Sequence, residues 1–359
     1  MPLPCSRVFI ESEGFVTSSS EVSIGIIGTG GMGTRHAVNL HQYVAGAHVA
    51  ALYDLDVERA QQAAARCGAP AVLADPLALI HDPRVDAVLL ASPDATHAAF
   101  VQECLRAQKP VLCEKPLATS LADARQIVEA EAALGRRLVS VGLMRRFDPQ
   151  HLAVRDLVAS GRLGRPILYK GVHRNAAIPY DARGEVILTN SAGHDVDALR
   201  WLLGQEVEEV FVRGVRSHRS FSEDTTDLLL IQLTLSGDCL ATIEVYGAAE
   251  YGYEVSAEVV CERGAAITGQ PDSVIVREAG ARSAAVPMDW LARFQAAYIA
   301  ELTQWTRSLR TGEPFDGASA WDGYRALQIT DACVRSLHSG QPVLVAADEA
   351  IDLLEGQCA

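Results

Sequence analysis

Short apolar runs rich in β-branched residues alternate with helical periodicity through the first part of the chain. The intervening segments predict helices near 33–43, 57–66, 95–107 and 120–134. The apolar runs predict strands at Val22 to Ile27, Val49 to Tyr53, Val85 to Leu90, Val111 to Cys113 and Leu138 to Val141. Strands and helices that alternate at this spacing are typical of parallel β-α-β units in a doubly wound α/β sheet.

The pattern changes after residue 143. It predicts helices at 149–159, 193–203, 289–310 and 319–338, a strand at 166–173, and four or more long strands between Val207 and Val276. Consecutive strands joined by short turns favour an open, mainly antiparallel sheet. The chain is therefore divided into a loose polar leader at 1–21, a Rossmann domain at 22–143 and an α+β domain at 144–359.

Length and charge narrow the function classes. A chain of 359 residues exceeds what one core usually organises, and 49% hydrophobic residues suffice for rigid domains. The net charge of -14 argues against nucleic acid as a partner, because phosphate contacts need a concentrated basic face. No apolar run reaches the ~18 residues of a membrane span, and none resembles a signal peptide, so we expect a cytoplasmic protein without a membrane partner.

The eight cysteines are scattered without a CxxC pair or zinc-ligand spacing. We expect them to be small, reduced core residues, since free cysteine is among the most buried residue types. No metal site is predicted.

A glycine-rich turn follows the first predicted strand. Gly28-Thr29-Gly30-Gly31-Met32-Gly33 is a G-x-G-x-x-G that opens a helix, the context in which this motif predicts a dinucleotide site. The second strand ends at Asp54, where a carboxylate can accept hydrogen bonds from ribose hydroxyls and repel an NADP 2′-phosphate. We therefore predict NAD rather than NADP. The alternative is that the glycines make only a tight turn and that Asp54 or Asp56 caps the next helix; Asp56 is the better capping candidate.

Glu114-Lys115-Pro116 ends the strand Val111 to Cys113, at the carboxyl edge where open α/β sheets bind ligands. A desolvated lysine beside a nicotinamide could take up or relay an alcohol proton as hydride leaves. The competing interpretation is a surface lysine after a strand.

These motifs together carry a family resemblance. The fingerprint followed by Arg35-His36, then Ser92-Pro93-Asp94-Ala95-Thr96-His97, then Glu114-Lys115-Pro116 resembles the glucose-fructose oxidoreductase/inositol dehydrogenase family over nearly the whole chain from Val22. The resemblance implies an NAD(P)-dependent oxidoreductase with a catalytic Lys115, often followed by a cis peptide. It further implies that Ser92, His97 and Glu114 lie at the cofactor.

Segments in the second part resemble the myo-inositol 2-dehydrogenases of that family. They are Gly142-Leu143-Met144-Arg145-Arg146-Phe147-Asp148, His173-Arg174-Asn175, His194-Asp195-Val196-Asp197 before Leu199-Arg200-Trp201-Leu202, and Tyr246 with Tyr251-Gly252-Tyr253. The resemblance implies that His194 is catalytic and that a cyclic polyol, oxidised at a secondary hydroxyl, is bound by Met144, Arg145, His173, Asn175, Asp197 and Tyr246. It also implies a homotetramer or dimer formed through the outer face of the second sheet.

One position departs from the family pattern. Asn190 stands four residues before His194, where relatives usually have an aspartate that orients the imidazole. Asparagine offers no negative charge, although Asp197, three residues after His194, can supply a carboxylate or bind substrate. The substrate therefore stays open between an inositol and another sugar, anhydrosugar or aminocyclitol. A non-catalytic dinucleotide sensor is a third alternative, but a sensor has no need of both Lys115 and His194.

Overall fold

The computed structural model describes residues 21–68, 70–177, 183–269 and 275–348. The predicted leader at 1–21 therefore lies outside the described residues, except for Glu21.

The first sheet is a doubly wound Rossmann sheet, as predicted. Its strands and helices alternate along the chain: β1 (Val22–Ile27), α1 (Gly31–Tyr43), β2 (Ala47–Tyr53), α2 (Val57–Arg66), β3 (Ala71–Val72), α3 (Pro76–His81), β4 (Ala87–Leu90), α4 (His97–Arg106), β5 (Val111–Glu114), α5 (Leu121–Ala133) and β6 (Val139–Gly142). These strands are parallel and have the order β6-β5-β4-β1-β2-β3. The order reverses between β1 and β4, so a ligand crevice is expected at the carboxyl ends of these two strands.

The element bounds differ from the sequence pattern mainly at short segments. The predicted helix 95–107 begins as a 3₁₀ turn at Asp94–Thr96, after which α4 follows. The strand β3 and the helix α3 were not predicted, because two and six residues are too few to show a period.

The second part contains the open sheet that the sequence predicts. Its elements are α6 (Pro149–Ala159), β7 (Pro166–Arg174), α7 (Gly184–Ile187), α8 (Gly193–Leu203), β8 (Val207–Val215), β9 (Leu228–Leu235), β10 (Leu240–Tyr246), β11 (Glu254–Cys261), β12 (Gly264–Ile267), β13 (Ile275–Glu278), β14 (Ala281–Ala284), α9 (Trp290–Thr311), β15 (Ala318–Ser319), α10 (Ala320–Ser339) and β16 (Val343–Leu344). The sheet order is β12-β11-β7-β10-β9-β8-β16, and every neighbouring pair except β7 with β10 is antiparallel.

The two faces of this sheet differ in burial. Along β10, Ala241, Ile243 and Val245 are buried, while Leu240 and the other alternate residues are exposed or half-buried. The buried face packs against α8 and α10, and the other face is turned outward. Because side chains alternate along a strand, the parity of a position decides which face it occupies.

The last part of the chain returns to the first sheet. The helix α9 packs on α1, and β15 pairs antiparallel with the edge strand β6. At the carboxyl edge of the first sheet, Arg145 after β6 contacts His173 on β7 and Asp195 on α8.

None of the helices in the described ranges is long and apolar enough to cross a membrane. The cysteines at 67, 104, 113, 239, 261 and 333 are buried free thiols, as predicted for these six, whereas Cys5 and Cys358 lie outside the described residues. Across the same ranges, no three His, Cys, Asp or Glu side chains are grouped closely enough to hold a metal ion.

Candidate active site

The glycines of the fingerprint have two different tasks. Gly28 has a φ of +92°, and a Cβ there would lie 2.5 Å from the backbone of Ala91; a Cβ on Gly33 would lie 1.8 Å from the carbonyl oxygen of Gly28. These two glycines therefore close the turn against the loop after β4. A Cβ on Gly30 or Gly31 would meet nothing within 4 Å, which leaves room at the N-terminus of α1. The free amides of that helix end suit the pyrophosphate of a dinucleotide.

Asp54 is fixed beside this turn. One carboxylate oxygen accepts from the Thr29 amide at 2.6 Å, and the other accepts from the Arg59 guanidinium at 2.6 Å. Burial by itself would raise the pKa of Asp54, but the hydrogen bonds from Arg59 and Thr29 outweigh it and lower the pKa. Asp54 is thus an ionised acceptor at the end of β2, while Asp56 caps α2, as predicted, by accepting from the Arg59 amide.

The loops after β4 and β5 are held together by His97. Its Nδ1 lies 2.7 Å from the Pro116 carbonyl oxygen and its Nε2 lies 2.9 Å from the Ser92 carbonyl oxygen. The Lys115-Pro116 peptide is cis, as the resemblance implies. Ser92, His97 and Lys115 therefore form one connected segment at the carboxyl edge of the sheet.

Glu114 is buried behind Lys115. Its Oε1 lies 2.7 Å from His36 Nε2, and its Oε2 accepts from the Lys115 backbone amide at 3.2 Å. Burial would raise the pKa of Glu114, yet the hydrogen bond from His36, together with the charge and the backbone amide of Lys115, lowers it overall. A negative charge is therefore kept directly behind the lysine.

Lys115 extends to the second part of the chain. Its Nζ donates to the backbone carbonyl oxygen of Asn190 at 3.1 Å. Asn190 lies in a π-helical segment, Leu188–Ala192, that runs into α8, and its side-chain amide donates to the Val186 carbonyl oxygen at 3.0 Å. The backbone of Asn190, rather than its side chain, thus meets the lysine.

His194 follows one turn later at the start of α8. Its Nδ1 is buried and has no hydrogen-bond partner among the described residues. Desolvation, followed by the positive charges of Lys115 and Arg145, lowers the pKa of His194 well below its usual value. The imidazole is therefore neutral near pH 7 and able to accept a proton, and Lys115 lies close enough to influence it electrostatically.

Arg145 and His173 meet at a residue that the sequence reasoning missed. The buried Asp195 accepts from Arg145 and lies 2.7 Å from His173 Nδ1. Burial would raise the pKa of Asp195, but the charges of Arg145 and His173 lower it. The ring of Tyr253 packs edge-on against His173 at 6.0 Å between centroids. Both Asp195 and Tyr253 stand inside the motif segments quoted above, so those segments were the available signal.

Met144 and Asn175, also predicted to bind substrate, are placed by their packing and backbone contacts. Met144 is buried in a core cluster with Phe147 and Tyr253. The backbone amide of Asn175 donates to Tyr246 and its carbonyl oxygen accepts from Ala249, so Asn175 fixes the loop after β7.

The structure does not bring Asp197 and Tyr246 to the site in the way the sequence suggested. Both oxygens of Asp197 accept from the buried Arg146, so this carboxylate is already engaged and does not orient His194. Tyr246 lies at an outward-facing position of β10, whereas the buried His173 lies on the opposite, inward face of the sheet, on β7. The Tyr246 hydroxyl lies 3.3 Å from His218 Nε2. Strand alternation explains the difference.

Two family models match this chain in succession. Residues 22–143 match an oxidoreductase family with an NAD-binding Rossmann fold, and residues 155–345 match the C-terminal alpha/beta domain of the same family. The chain belongs to the Gfo/Idh/MocA oxidoreductase family. It is accordingly an NAD-dependent oxidoreductase acting on CH–OH groups.

Curated relatives and solved structures in the family carry consistent names. The inositol 2-dehydrogenase of Rubrobacter xylanophilus is 49% identical over 90% of this chain and 93% of its own length. Inositol 2-dehydrogenase 1 of Saccharopolyspora erythraea is 42% identical over 90% of this chain and 96% of its own length. The structure of myo-inositol dehydrogenase from Lactobacillus casei with NAD(H) and myo-inositol has a TM-score of 0.87 and 32% identity, covering 91% of this chain and 97% of that one.

Cofactor selectivity should depend on the charge of Asp54. Replacing Asp54 with serine removes the repulsion of a 2′-phosphate and frees Arg59 to pair with it, so we expect the Kd for NADPH to fall about 10- to 100-fold. Titration of protein fluorescence with NADH and NADPH measures this. Asp56→Ser is the matched control, because serine also caps a helix and Asp56 lies outside the Thr29 contact. Equal changes in both variants would show that Asp54 does not select the cofactor.

Proposed function

We propose that this protein oxidises a secondary ring hydroxyl of an inositol to the ketone with NAD, and that Lys115 and His194 handle the proton. The observation that carries the proposal is that the Lys115 ammonium donates to the Asn190 carbonyl oxygen, one turn before His194, whose pKa burial and the charge of Lys115 lower. The names of the curated relatives support an inositol as substrate.

The polar groups around His194 suit a substrate rich in hydroxyls. Arg145 and His173 converge on Asp195, and Tyr253 lies against His173. A site that hydrogen-bonds each hydroxyl of a ring rejects analogues that lack one, because its own buried polar groups would then be left unpaired. A charged or apolar substrate would gain less from these groups. A cyclic polyol is therefore the substrate class that we assign to the site.

The residues divide the proton chemistry between them. NAD, when bound at the fingerprint, supplies the acceptor for the hydride that leaves the carbinol carbon. The neutral imidazole of His194 can take the hydroxyl proton, and the Lys115 ammonium can donate a hydrogen bond to the same oxygen. Glu114 keeps a compensating negative charge behind Lys115 and fixes its backbone amide.

A dehydrogenase of another sugar, anhydrosugar or aminocyclitol is the second candidate, and Asn190 in place of the family aspartate is the observation that favours it. Purified protein should be mixed with NAD or NADP and a panel of inositol isomers, sugars and aminocyclitols, with reduced nicotinamide followed by absorbance. Highest kcat/KM with an inositol supports the proposal, and a preference for another ring assigns the second candidate. If no cyclic alcohol or ketone is turned over in either direction, both are wrong.

Asn190→Asp is expected to move the acid limb of the pH profile upward. A new carboxylate one turn from His194 favours the protonated imidazole, so the pKa of His194, which desolvation and nearby cations hold low, should rise. Because the neutral form accepts the proton, activity is then lost at a higher pH than in the unchanged protein. The measurement is kcat/KM against pH, with NADH affinity expected to stay the same.

Thr189→Asp is the matched control for this experiment. Thr189 is the exposed neighbour of Asn190 on the same turn, so a carboxylate there is screened by solvent. An upward shift only in Asn190→Asp supports a role of position 190 in the proton path. Superimposable profiles for the two variants and the original chain would remove Asn190 from it.

The outward face of the second sheet supports self-association. Leu230, Leu240 and Ile267 stand on this face with 44%, 58% and 64% of their surface exposed. Exposed apolar residues on a shared face are typical of protein interfaces. We propose a homo-oligomer, a tetramer or dimer, formed through this face, and light scattering with Leu240→Lys tests it: unchanged mass would contradict this interface.

A further inference from the structure

The helix α9 carries a carboxyl group in the middle of its buried face. Glu301 has no exposed surface, and neither of its carboxyl oxygens has a hydrogen-bond partner within the described ranges. Buried carboxyl groups are rare unless they are paired, because burial strongly disfavours the charged form. Burial is the larger cause, and the negative charge of Glu114 the smaller one, that raises the pKa of Glu301 well above its usual value. Both effects favour the neutral carboxylic acid at Glu301 in the folded protein.

A second unpartnered atom belongs to the His36-Glu114 pair. His36 is 1% exposed, and its Nδ1 has no partner in the described part of the chain, whereas its Nε2 contacts Glu114 at 2.7 Å. The ring of Tyr298, one turn before Glu301 on α9, lies 5.7 Å from the ring of His36. Burial, followed by the carboxyl groups of Glu114 and Glu301, raises the pKa of Tyr298. These four residues form one buried group, here called the Glu301 cluster.

The unpartnered atoms of the Glu301 cluster are chemically complementary. A carboxylic acid offers one donor, and a neutral imidazole whose proton is on Nε2 offers an acceptor at Nδ1. Buried polar groups in proteins are nearly always satisfied, either directly or through an internal water that bridges two or more of them. An internal water that reached both His36 and Glu301 would satisfy the two groups at once.

We propose that Glu301 is a positioning residue for Lys115: its acid proton, through an internal water, engages His36 Nδ1 and so selects the tautomer whose Nε2–H donates to Glu114. Glu114 in turn accepts from the Lys115 amide and holds a negative charge behind the lysine. Only the expected effect of this positioning on turnover rests on the proposed function. The histidine tautomer is set by the hydrogen bond at its other nitrogen, whichever substrate is used.

Nuclear magnetic resonance of the apo protein tests the tautomer without any turnover. With ¹⁵N-labelled histidine, and His36 assigned by loss of its signals in His36→Gln, the Nε2–H tautomer is expected in the unchanged protein. Glu301→Gln should retain it, because the amide also donates, whereas Glu301→Leu should not. The Nδ1–H tautomer or a doubly protonated ring in the unchanged protein would overturn the proposal. So would the same tautomer in all three proteins.

Kinetics then test the consequence for the lysine. Glu301→Leu should lower kcat about 10- to 100-fold, as small displacements of a reacting group do, with KM for NAD unchanged. Glu301→Gln should restore kcat to within about threefold of the original, by the same argument. Thr306→Val is the matched control, since it removes another buried, unpartnered polar atom of α9 and should leave kcat unaltered. A tautomer change without a kcat change would leave the proposed reaction standing and overturn the positioning role.

Stability against pH provides an independent readout. An unfolded glutamate releases its proton near its usual pKa, whereas folded Glu301 retains it to a much higher pH, so ionisation opposes folding increasingly as pH rises above that usual value. Glutamine does not titrate. The Tm of Glu301→Gln relative to the unchanged protein should therefore increase between about pH 5 and about pH 8. A pH-independent difference would show that Glu301 is not a buried neutral acid. If Glu301→Leu does not fold, Glu301→Met replaces it in both tests.

Discussion

Lys115→Met is expected to lower kcat by about 10²- to 10⁴-fold while the Kd for NADH changes by no more than a few-fold. Methionine has nearly the length of lysine but cannot donate to the substrate oxygen or relay a proton. The fingerprint turn and Asp54, which hold the adenosine end of the dinucleotide, are untouched by this change. The loss should therefore occur in the chemical step, which a single-turnover measurement of NADH formation isolates.

Lys170→Met is the matched control. Lys170 pairs with Glu258 on the outward face of β7. The Lys170→Met variant therefore loses the same ammonium group, but away from the carboxyl edge of the first sheet. We expect kcat to be unaltered there. If Lys115→Met retained the turnover of the control, Lys115 would be only the surface lysine of the competing interpretation. Weak NADH binding with normal single-turnover chemistry would instead make it a cofactor residue.

The fold could be predicted wherever elements are long enough to show a period. β1 and α8 have the bounds that the pattern suggests, and the change from an alternating to a strand-rich chain after residue 143 corresponds to two different sheets. Two-residue strands such as β15 and β16 were not predicted, because their pairing depends on the neighbouring strand and not on their own residues.

The candidate site could be predicted where backbone motifs determine it. The fingerprint glycines and Lys115 follow strands directly, so the carboxyl edge of a parallel sheet collects them. The pairing of Asp197 with Arg146 could not be predicted, because it depends on charges that only the folded chain brings together. Asp195, two residues earlier on α8, takes the position between Arg145 and His173 instead.

Tyr246 illustrates a signal that was present and not used. It shares the outward parity of Leu240 and Glu244 on β10, whereas Val245 is paired with His173 on β7. The alternation along β10 therefore predicts that Tyr246 faces away from His173. The tyrosine that packs on His173 is Tyr253, which follows the strand. Side chains that are assigned by resemblance need this check of strand parity.

Asp148→Ala is expected to destabilise the folded protein by about 3–5 kcal/mol, the usual effect of removing one partner from a buried ion pair. Asp148 accepts from both terminal nitrogens of Arg293 at 2.6 and 2.9 Å, and its side chain also caps α6. Both partners are almost fully buried, so alanine leaves the guanidinium of α9 without a counter-charge. This pair connects α6 to the helix that returns to the first sheet, and its loss should appear as a lower midpoint in denaturant unfolding.

The pH dependence distinguishes an ion pair from a packing effect. Burial raises the pKa of Asp148, but the hydrogen bonds from His151 and Arg293 lower it overall, so its contribution is complete above the unfolded pKa and is lost as pH falls through the folded one. The difference in unfolding free energy between the original protein and Asp148→Ala should be largest near pH 7 and shrink in acid. Asp156→Ala, an exposed acid on the same helix, is the control with little expected change. A difference that stayed constant down to pH values where carboxylates protonate would mean that lost packing, and not the charge of Asp148, is responsible.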